Sequence, residues 1–283
     1  MRILVLVLGG VALPGCAAVP RRAPAPPPFG ASLGAAAQGE DRDPRAVQPE
    51  RPSVATHAGT VAPGFLELET GVEHDRNGDA TTTLLVPTLF KFGLAPRAQL
   101  SVQLPLERST GVPFGVGDVA AGVKWRIAGD DPSHHRFALQ PSVKFSTGGA
   151  RGTETVDATL LAIDSRTIGS TSVDINVGVT WRGANAADVA RTTTFWTVAS
   201  GTPLFSRVGW QLECFGYPGT GGPAGAAPSV AILTGPTLTL VRELAFDAGF
   251  IVPVTGPQPR AFYVGLVANL GRLIPATLRS SSP

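Results

Sequence analysis

The sequence predicts an all-β fold, a transmembrane antiparallel up-and-down β-barrel of about 12 strands. First, apolar and polar residues alternate with a period of two through most of residues 63–271. Second, the alternating segments are roughly 10 residues long, as tilted membrane-crossing strands are, whereas soluble strands average about 5–6 residues. Third, no apolar run beyond the N-terminus reaches the roughly 18 residues that a membrane-spanning helix needs.

The composition agrees with a β-barrel and argues against a nucleic-acid partner. Of the 283 residues 43% are hydrophobic and only 16% charged, while 34 Gly and 26 Pro supply turns. The formal net charge is +2, and no block of Lys or Arg forms a basic patch. We therefore expect no nucleic-acid partner.

The N-terminus predicts export. Arg2 precedes an apolar stretch over residues 3–12, and Leu13-Pro14-Gly15-Cys16 resembles a bacterial lipobox. We expect residues 1–15 to be a lipoprotein-type signal peptide and Cys16 to be the lipidated mature N-terminus. The alternative is ordinary cleavage after Ala17 or Ala18, with loss of Cys16. Residues 16–62 are rich in Pro and Ala and predict a disordered linker, extended and mobile.

The alternation locates each strand of the predicted barrel, which spans residues 63–271. In residues 118–127, for example, Val123 and Trp125 alternate with Lys124 and Arg126. The predicted strands are 64–74, 81–93, 98–108, 117–128, 135–147, 156–165, 171–183, 190–201, 206–217, 228–240, 243–254 and 260–271. An even number of strands leaves both termini on the periplasmic side, and the short tail 272–283 follows the last strand.

The polar positions of these strands predict the face that lines the lumen. The candidate lining residues are Glu67, Glu69, Gln103, Glu107, Asp118, Lys124, Arg126, Gln140, Lys144, Asp174, Arg182, Glu213 and Asp247. They predict either a wall of mutually neutralised charges that stabilises a narrow barrel, or a lining that selects solutes. Barrels of about 8 strands fill their interiors with side chains and barrels of 16–18 leave a wide channel, so we expect a narrow or plugged pore.

Four segments of the chain resemble the motifs of one family. Residues 61–71, Val-Ala-Pro-Gly-Phe-Leu-Glu-Leu-Glu-Thr-Gly, resemble its opening strand, and residues 115–126 resemble a strand with the pattern G-x-GD-x-x-x-G-x-K-aromatic-basic. Residues 139–148, which include Pro141-Ser142-Val143-Lys144, and residues 240–249 resemble two later strands. The chain resembles the outer-membrane transporter family named after the meta-pathway of phenol degradation, over residues 63–271.

The resemblance implies a passive outer-membrane channel for small, hydrophobic or aromatic solutes. Such a channel needs no cofactor, and its partners would be outer-membrane lipid, the barrel-assembly machinery during insertion, and the solutes. The sequence does not indicate an oligomeric state. Two alternatives stay open: a non-conducting structural barrel lipoprotein of the envelope, and a soluble β-sandwich on a lipid anchor. Pro87, Pro105, Pro141 and Pro236 favour the sandwich, because each removes a hydrogen bond from a predicted strand.

The sequence offers little catalytic chemistry, and we expect no enzyme. His74 and Asp75 could form a catalytic fragment, but no Gly-x-Ser-x-Gly motif accompanies them. Asp130, Asp131, His134 and His135 suggest a solvated turn rather than a metal site. Cys214 lies in phase with the apolar residues Trp210 and Leu212, so we expect a small wall residue rather than a nucleophile.

Overall fold

The computed structural model describes residues 43–51, 54–130, 135–183, 191–220 and 227–274. Its strands are β1 (Phe65–Arg76), β2 (Thr82–Val86), β3 (Thr88–Ala95), β4 (Ala98–Gln103), β5 (Leu106–Ser109), β6 (Val112–Val116), β7 (Ala120–Ala128), β8 (His135–Lys144), β9 (Asp157–Ile168), β10 (Thr171–Arg182), β11 (Thr192–Pro203), β12 (Val208–Tyr217), β13 (Ser229–Val241), β14 (Leu244–Thr255) and β15 (Arg260–Arg272). A short 3-10 helix covers Gly149–Arg151. Within the described ranges no helix is long and apolar enough to cross a membrane.

The strands form one closed antiparallel sheet. Each strand from β7 to β15 pairs with the next along the chain, and β15 pairs back onto β1. The closing pair runs in register from Phe65 opposite Arg272 to Arg76 opposite Arg260, with one irregularity near Leu66. This closure confirms the predicted barrel and excludes the sandwich, whose two sheets would not form one continuous ring.

Three wall strands are each broken in two, so the 15 segments make up 12 strands around the barrel. The breaks lie at Pro87, at Leu104-Pro105 and at residues 117–119. They line up across neighbouring strands, because Leu89 pairs with Gln103 and Gln103 with Ala120 just below them. The predicted count of about 12 is confirmed.

The prolines that favoured a sandwich therefore have a place in the barrel. Pro87 and Pro105 occupy two of the breaks. Pro141 and Pro236 lie at gaps in the ladders to β7 and β14, where no residue pairs are formed. A proline is tolerated where its missing N–H has no partner to lose.

The two faces of the wall have opposite character. On β7 the apolar Val123, Trp125 and Ile127 are 38%, 61% and 44% exposed, while Lys124 between them is fully buried. On β10, Ile175 and Val177 are exposed, whereas the polar residues on either side are buried. The interior also holds apolar clusters, such as Leu161, Ile163 and Phe195, but most buried charged and amide groups lie there. An apolar exterior around polar groups of this kind is the pattern of a barrel that faces lipid.

Most of residues 43–51 and 54–62 lie inside the barrel, and we call these two ranges together the plug segment. Most of them are buried, and Ala55, Ala58, Thr56 and Val61 are at most 1% exposed. The segment enters where the backbone N–H of Val47 bonds to the carbonyl of Arg242, in the β13–β14 turn. It leaves at the same end of the barrel, where the Thr60 hydroxyl bonds to the carbonyl of Pro96 in the β3–β4 turn.

This placement differs from the predicted extended linker over 16–62. A Pro- and Ala-rich composition predicts a segment that cannot form a core of its own. Inside the barrel the segment needs no core of its own, because the wall supplies its partners. Residues 16–42 of that linker, the predicted signal peptide 1–15 and Cys16 lie outside the described residues, as do residues 275–283 of the predicted tail.

A charge on the outer face should destabilise the barrel in proportion to its depth. Val264 is 43% exposed at the middle of the β1–β15 pair. We expect Val264→Arg to lower the free energy of unfolding in lipid vesicles by about 2–4 kcal/mol, because the guanidinium faces hydrocarbon. Phe205→Arg, in the exposed β11–β12 turn, should cost less than about 1 kcal/mol. Urea titration in vesicles measures both, and equal costs would contradict a lipid-facing wall.

Candidate functional site

The lumen holds an ion cluster between β1 and β3. Glu67 and Lys91 are directly opposite one another on the two strands. The Lys91 ammonium lies 2.6 Å from a Glu67 carboxylate oxygen, also contacts Glu69, and donates to the carbonyl of Gln48 in the plug segment. All three charged side chains are buried. Because buried charges need several partners to offset the loss of water, the plug carbonyl is part of this cluster.

A second cation, Lys124 on β7, holds both legs of the plug segment. Its ammonium pairs with Glu50 on the entering leg. On the returning leg it donates to the carbonyl of His57 at 2.9 Å and to the hydroxyl of Thr56 at 3.3 Å. The Gln99 side chain has the same double role, since its amide N–H donates to Glu50 and its carbonyl accepts from the N–H of Val61. The two legs are thus fastened to one region of the wall.

Backbone amides of the plug segment donate to side chains of the wall. An extended segment without a strand partner must find acceptors elsewhere, because a buried N–H left unpaired is costly. The donations, with N–O distances, are Gln48 to Glu67 at 2.8 Å, Glu50 to Glu69 at 2.6 Å, Val54 and Ala55 to Glu213 at 2.9 and 2.8 Å, Thr56 to Asn176 at 2.7 Å, and Ala58 to Ser165 at 2.8 Å. The lumenal side chains therefore provide the hydrogen-bond acceptors that a neighbouring strand would otherwise offer to the plug segment.

Two glycines make room for the deepest cation of the plug. Gly71 and Gly265 pair on β1 and β15. A Cβ at either position would lie 2.6 or 2.4 Å from the guanidinium group of Arg51. With no side chains there, Arg51 reaches the carboxylate of Asp247, 3.5 Å away and fully buried. At Gly71 a Cβ would also lie 2.4 Å from the backbone carbonyl oxygen of Val264, which cannot move aside as a flexible side chain can, so both contacts favour the Gly of the opening-strand motif.

The entry point of the plug is anchored by exposed charges. Asp43 accepts a bond from Arg242 in the β13–β14 turn. The backbone N–H of Arg45, followed by the nearby Arg242 guanidinium, holds the pKa of Asp43 below its usual value. The carboxylate is therefore ionised at neutral pH, but exposed pairs of this kind add little stability.

Little space is left between the plug and the wall near Lys124. A cavity of about 20 Å³ is lined by Glu50 and Thr56 of the plug and by Gln103, Gln140 and Ser142 of the wall, among others. That volume holds about one water molecule. A solute larger than water does not fit there while the plug segment is in place.

The thirteen predicted lining residues divide into two groups. Eight are buried: Glu67, Glu69, Gln103, Lys124, Gln140, Asp174, Glu213 and Asp247. Five are partly exposed toward the two ends: Glu107, Asp118, Arg126, Lys144 and Arg182. Their role in lining a path for solutes remains a prediction, and for several of them the observed partner is the plug.

Asp118 and Lys144 form a lock at the break between β6 and β7. Asp118 accepts from Lys144 at 2.8 Å and from the backbone N–H groups of Gly148 and Thr153. Lys144 also lies 3.3 Å from Asp157. The lock holds the loop between β8 and β9 against the wall, where none of the described strands pairs with the outer edge of β6.

The predicted lining residues did not include Lys91, Gln99 and Asn176 of the wall, although the alternation puts Gln99 and Asn176 on the polar face. All three are fully buried and contact the plug or its partners. Lys91 could have been found, because it alternates between Phe90 and Phe92. Glu50 and Arg51 could not, because no strand pattern surrounds them.

The described residues hold no group of three or more metal-ligating side chains. His74 is exposed on the outer face and Asp75 is buried on the inner one, so the two do not form a catalytic pair. His135 pairs with Asp164 at 2.6 Å rather than with Asp130. Asp131 and His134 lie outside the described residues. Cys214 is a free thiol on β12.

The fold and its interior define the class of this protein: a closed 12-stranded barrel with an apolar exterior and a lumen filled by its own N-terminal segment. The chain belongs to the family described as "Putative MetA-pathway of phenol degradation", whose model matches residues 50–252. The match confirms the resemblance inferred from the motifs, and it includes part of the plug segment.

Two solved structures share the fold. One is an outer membrane channel from Pseudomonas putida F1, at a TM-score of 0.62 and 12% identity, covering 79% of this chain and 99% of that one. The other is the KdgM porin in complex with disordered oligogalacturonate, at 0.50 and 9% identity, covering 71% of this chain and 98% of that one. Comparison with curated protein sequences gives no match.

Occupancy of the lumen by the plug can be measured by thiol labelling. With Cys16 and Cys214 replaced by Ser, we expect Ala55→Cys to react slowly with a water-soluble maleimide, because Ala55 is fully buried. Adding Lys124→Met should speed the reaction roughly tenfold or more, since charge-assisted hydrogen bonds are worth about 1.5–3 kcal/mol. Lys144→Met is the matched control and should leave the rate unchanged. Fast labelling without Lys124→Met would show that the plug does not reside in the lumen.

Proposed function

We propose that this chain is an outer-membrane channel for small solutes, and that its own plug segment closes the lumen. The observation that carries the proposal is the way the plug is held. It enters and leaves at one end, and polar contacts with lumenal side chains hold it. A segment held in this way can withdraw without breaking the wall, since it contributes no strand to the ring.

The outer face supports the proposed location of the protein, and the turn lengths support its proposed orientation. The apolar outer face favours a bilayer, and a closed β-barrel favours the outer membrane of a Gram-negative cell. Both barrel ends of the chain lie at the side with the shorter turns, which favours the periplasm for both termini. We extend the proposal to export by a signal peptide over 1–15, a lipid anchor at Cys16 and insertion by the barrel-assembly machinery.

The chemical groups that line the lumen limit the class of solute that would bind there. A wall of carboxylates, amides and hydroxyls favours solutes that form hydrogen bonds. Aromatic solutes, suggested by the family description, fit such a lining best when they carry a hydroxyl group. The lumen also contains buried apolar side chains, including Phe195, Phe215 and Tyr263, which can pack against the ring of such a solute.

Conductance tests the closure. The full chain should show little or no current in planar bilayers, whereas a variant lacking residues 43–59 should conduct several-fold more, because the lumen then fills with water. Heat-modifiable gel migration, unchanged in the deletion variant, serves as the control for an intact barrel. A silent deletion variant with an intact barrel would contradict the channel and support a structural barrel instead.

Ion selectivity tests the lining. Among the described wall residues that are buried, seven are carboxylates and three are cationic: Glu67, Glu69, Asp75, Asp157, Asp174, Glu213 and Asp247 against Lys91, Lys124 and Arg136. The plug-deleted channel should therefore prefer cations, because excess fixed negative charge concentrates them. Glu213→Gln with Asp247→Asn should reduce the preference, measured as the reversal potential in a KCl gradient. An anion preference would contradict this assignment of the lumen charge.

A further inference from the structure

The outer face carries a cluster of three arginines and one histidine at the barrel end opposite to the chain's two ends. It consists of His74 and Arg76 on β1, Arg260 on β15 and Arg108 on β5, and we call it the rim patch. Arg76 pairs directly with Arg260, and Leu84 pairs with both His74 and Arg108. Two strand spacings of about 4.8 Å thus separate His74 from Arg108, within reach of one ligand.

These four side chains point away from the lumen and are exposed. Asp75, between His74 and Arg76, is buried on the inner face, and so is Ala261 beside Arg260. Within the described part of the chain, none of the four forms an ion pair or a hydrogen bond through its side chain. The rim patch is therefore a concentration of positive charge that the wall itself does not neutralise.

A groove of about 370 Å³ adjoins the rim patch. Its lining includes His74, Arg108, Thr82, Leu84 and Thr110. The backbone N–H of Thr82 donates to the Thr110 hydroxyl at 3.0 Å, which fixes the floor of the groove. Cations and hydroxyls around a concave surface are the groups that bind phosphate oxygens.

Directly toward the middle of the barrel, the same face becomes apolar. Phe262 pairs with His74, is 49% exposed, and its ring centroid lies 5.4 Å from that of Phe250. Val72 and Val264 continue the apolar surface. The rim patch thus lies at the boundary between the apolar belt and water, at the level of a lipid's headgroup.

We propose that the rim patch binds the phosphate groups of a phosphorylated glycolipid in the outer leaflet, while the acyl chains lie against Phe250 and Phe262. Arginine suits this ligand because its planar guanidinium donates two parallel hydrogen bonds to a phosphate. The proposal rests on the outer-membrane location and on the orientation given above, but not on conduction through the lumen.

Native mass spectrometry of lipid binding to the detergent-purified full chain tests this proposal. The probes are bisphosphorylated lipid A, the same lipid after phosphatase treatment, cardiolipin, and inorganic phosphate. The unaltered chain should bind bisphosphorylated lipid A roughly tenfold or more tightly than the dephosphorylated form, because several arginines lose their phosphate partners when the phosphates are removed. Arg76→Gln with Arg260→Gln should abolish this preference.

The matched control removes the same charge elsewhere. Arg191→Gln with Arg207→Gln changes two exposed arginines away from the rim patch and should keep the preference. Loss of the preference in both double variants, or its absence in the unaltered chain, overturns the proposal. Cardiolipin binding as tightly as lipid A would reassign the rim patch to anionic lipid in general, and binding of inorganic phosphate alone would reassign it to free phosphate; either result overturns the glycolipid. Because none of these measurements needs a current, failure here leaves the channel proposal to its own test.

Discussion

Pairing of the last strand with the first is the constraint on which the rest of this structure depends. Inside a bilayer no water is available to bond an exposed strand edge, and each unsatisfied backbone group costs several kcal/mol. The pairing of β15 with β1 closes the ring, and the edge of β6 that the described strands leave unpaired is covered by the β8–β9 loop. Closure then fixes which face of every strand meets lipid, because a shift of one residue would turn all apolar side chains inward.

Closure also encloses the polar groups of the inner face, and these groups must find their hydrogen-bond partners inside the barrel. The inner face carries Glu67, Glu69, Lys91, Lys124 and Glu213, all without access to bulk water. Opposite charges on neighbouring strands offset part of the cost, and the plug segment offsets more by presenting its amides to the carboxylates. The wall and the plug segment therefore each supply hydrogen-bond partners that the other lacks.

The breaks in three neighbouring strands show how the ring accommodates proline. Pro87 and Pro105 interrupt the strands at one level of the wall, and residues 117–119 continue the interruption into the next strand. At that level Asp118 and Lys144 replace lost backbone pairing with side-chain bonds to the β8–β9 loop. These side-chain hydrogen bonds connect the wall to the loop at the level where backbone pairing between strands is interrupted.

The sequence by itself determined the class of fold, the 12 strands and the inner and outer faces, because each of these follows from local alternation and turn residues. It also placed Glu67, Lys124 and Glu213 on the face that became buried. Tertiary structure decided what fills the lumen. Glu50 and Arg51 belong to a segment with no periodic pattern, and their partners are 74 and 196 residues away in the chain. Only closure of the ring brings those carboxylates and cations to the plug, so composition alone predicted a mobile linker for residues that the structure places inside the barrel.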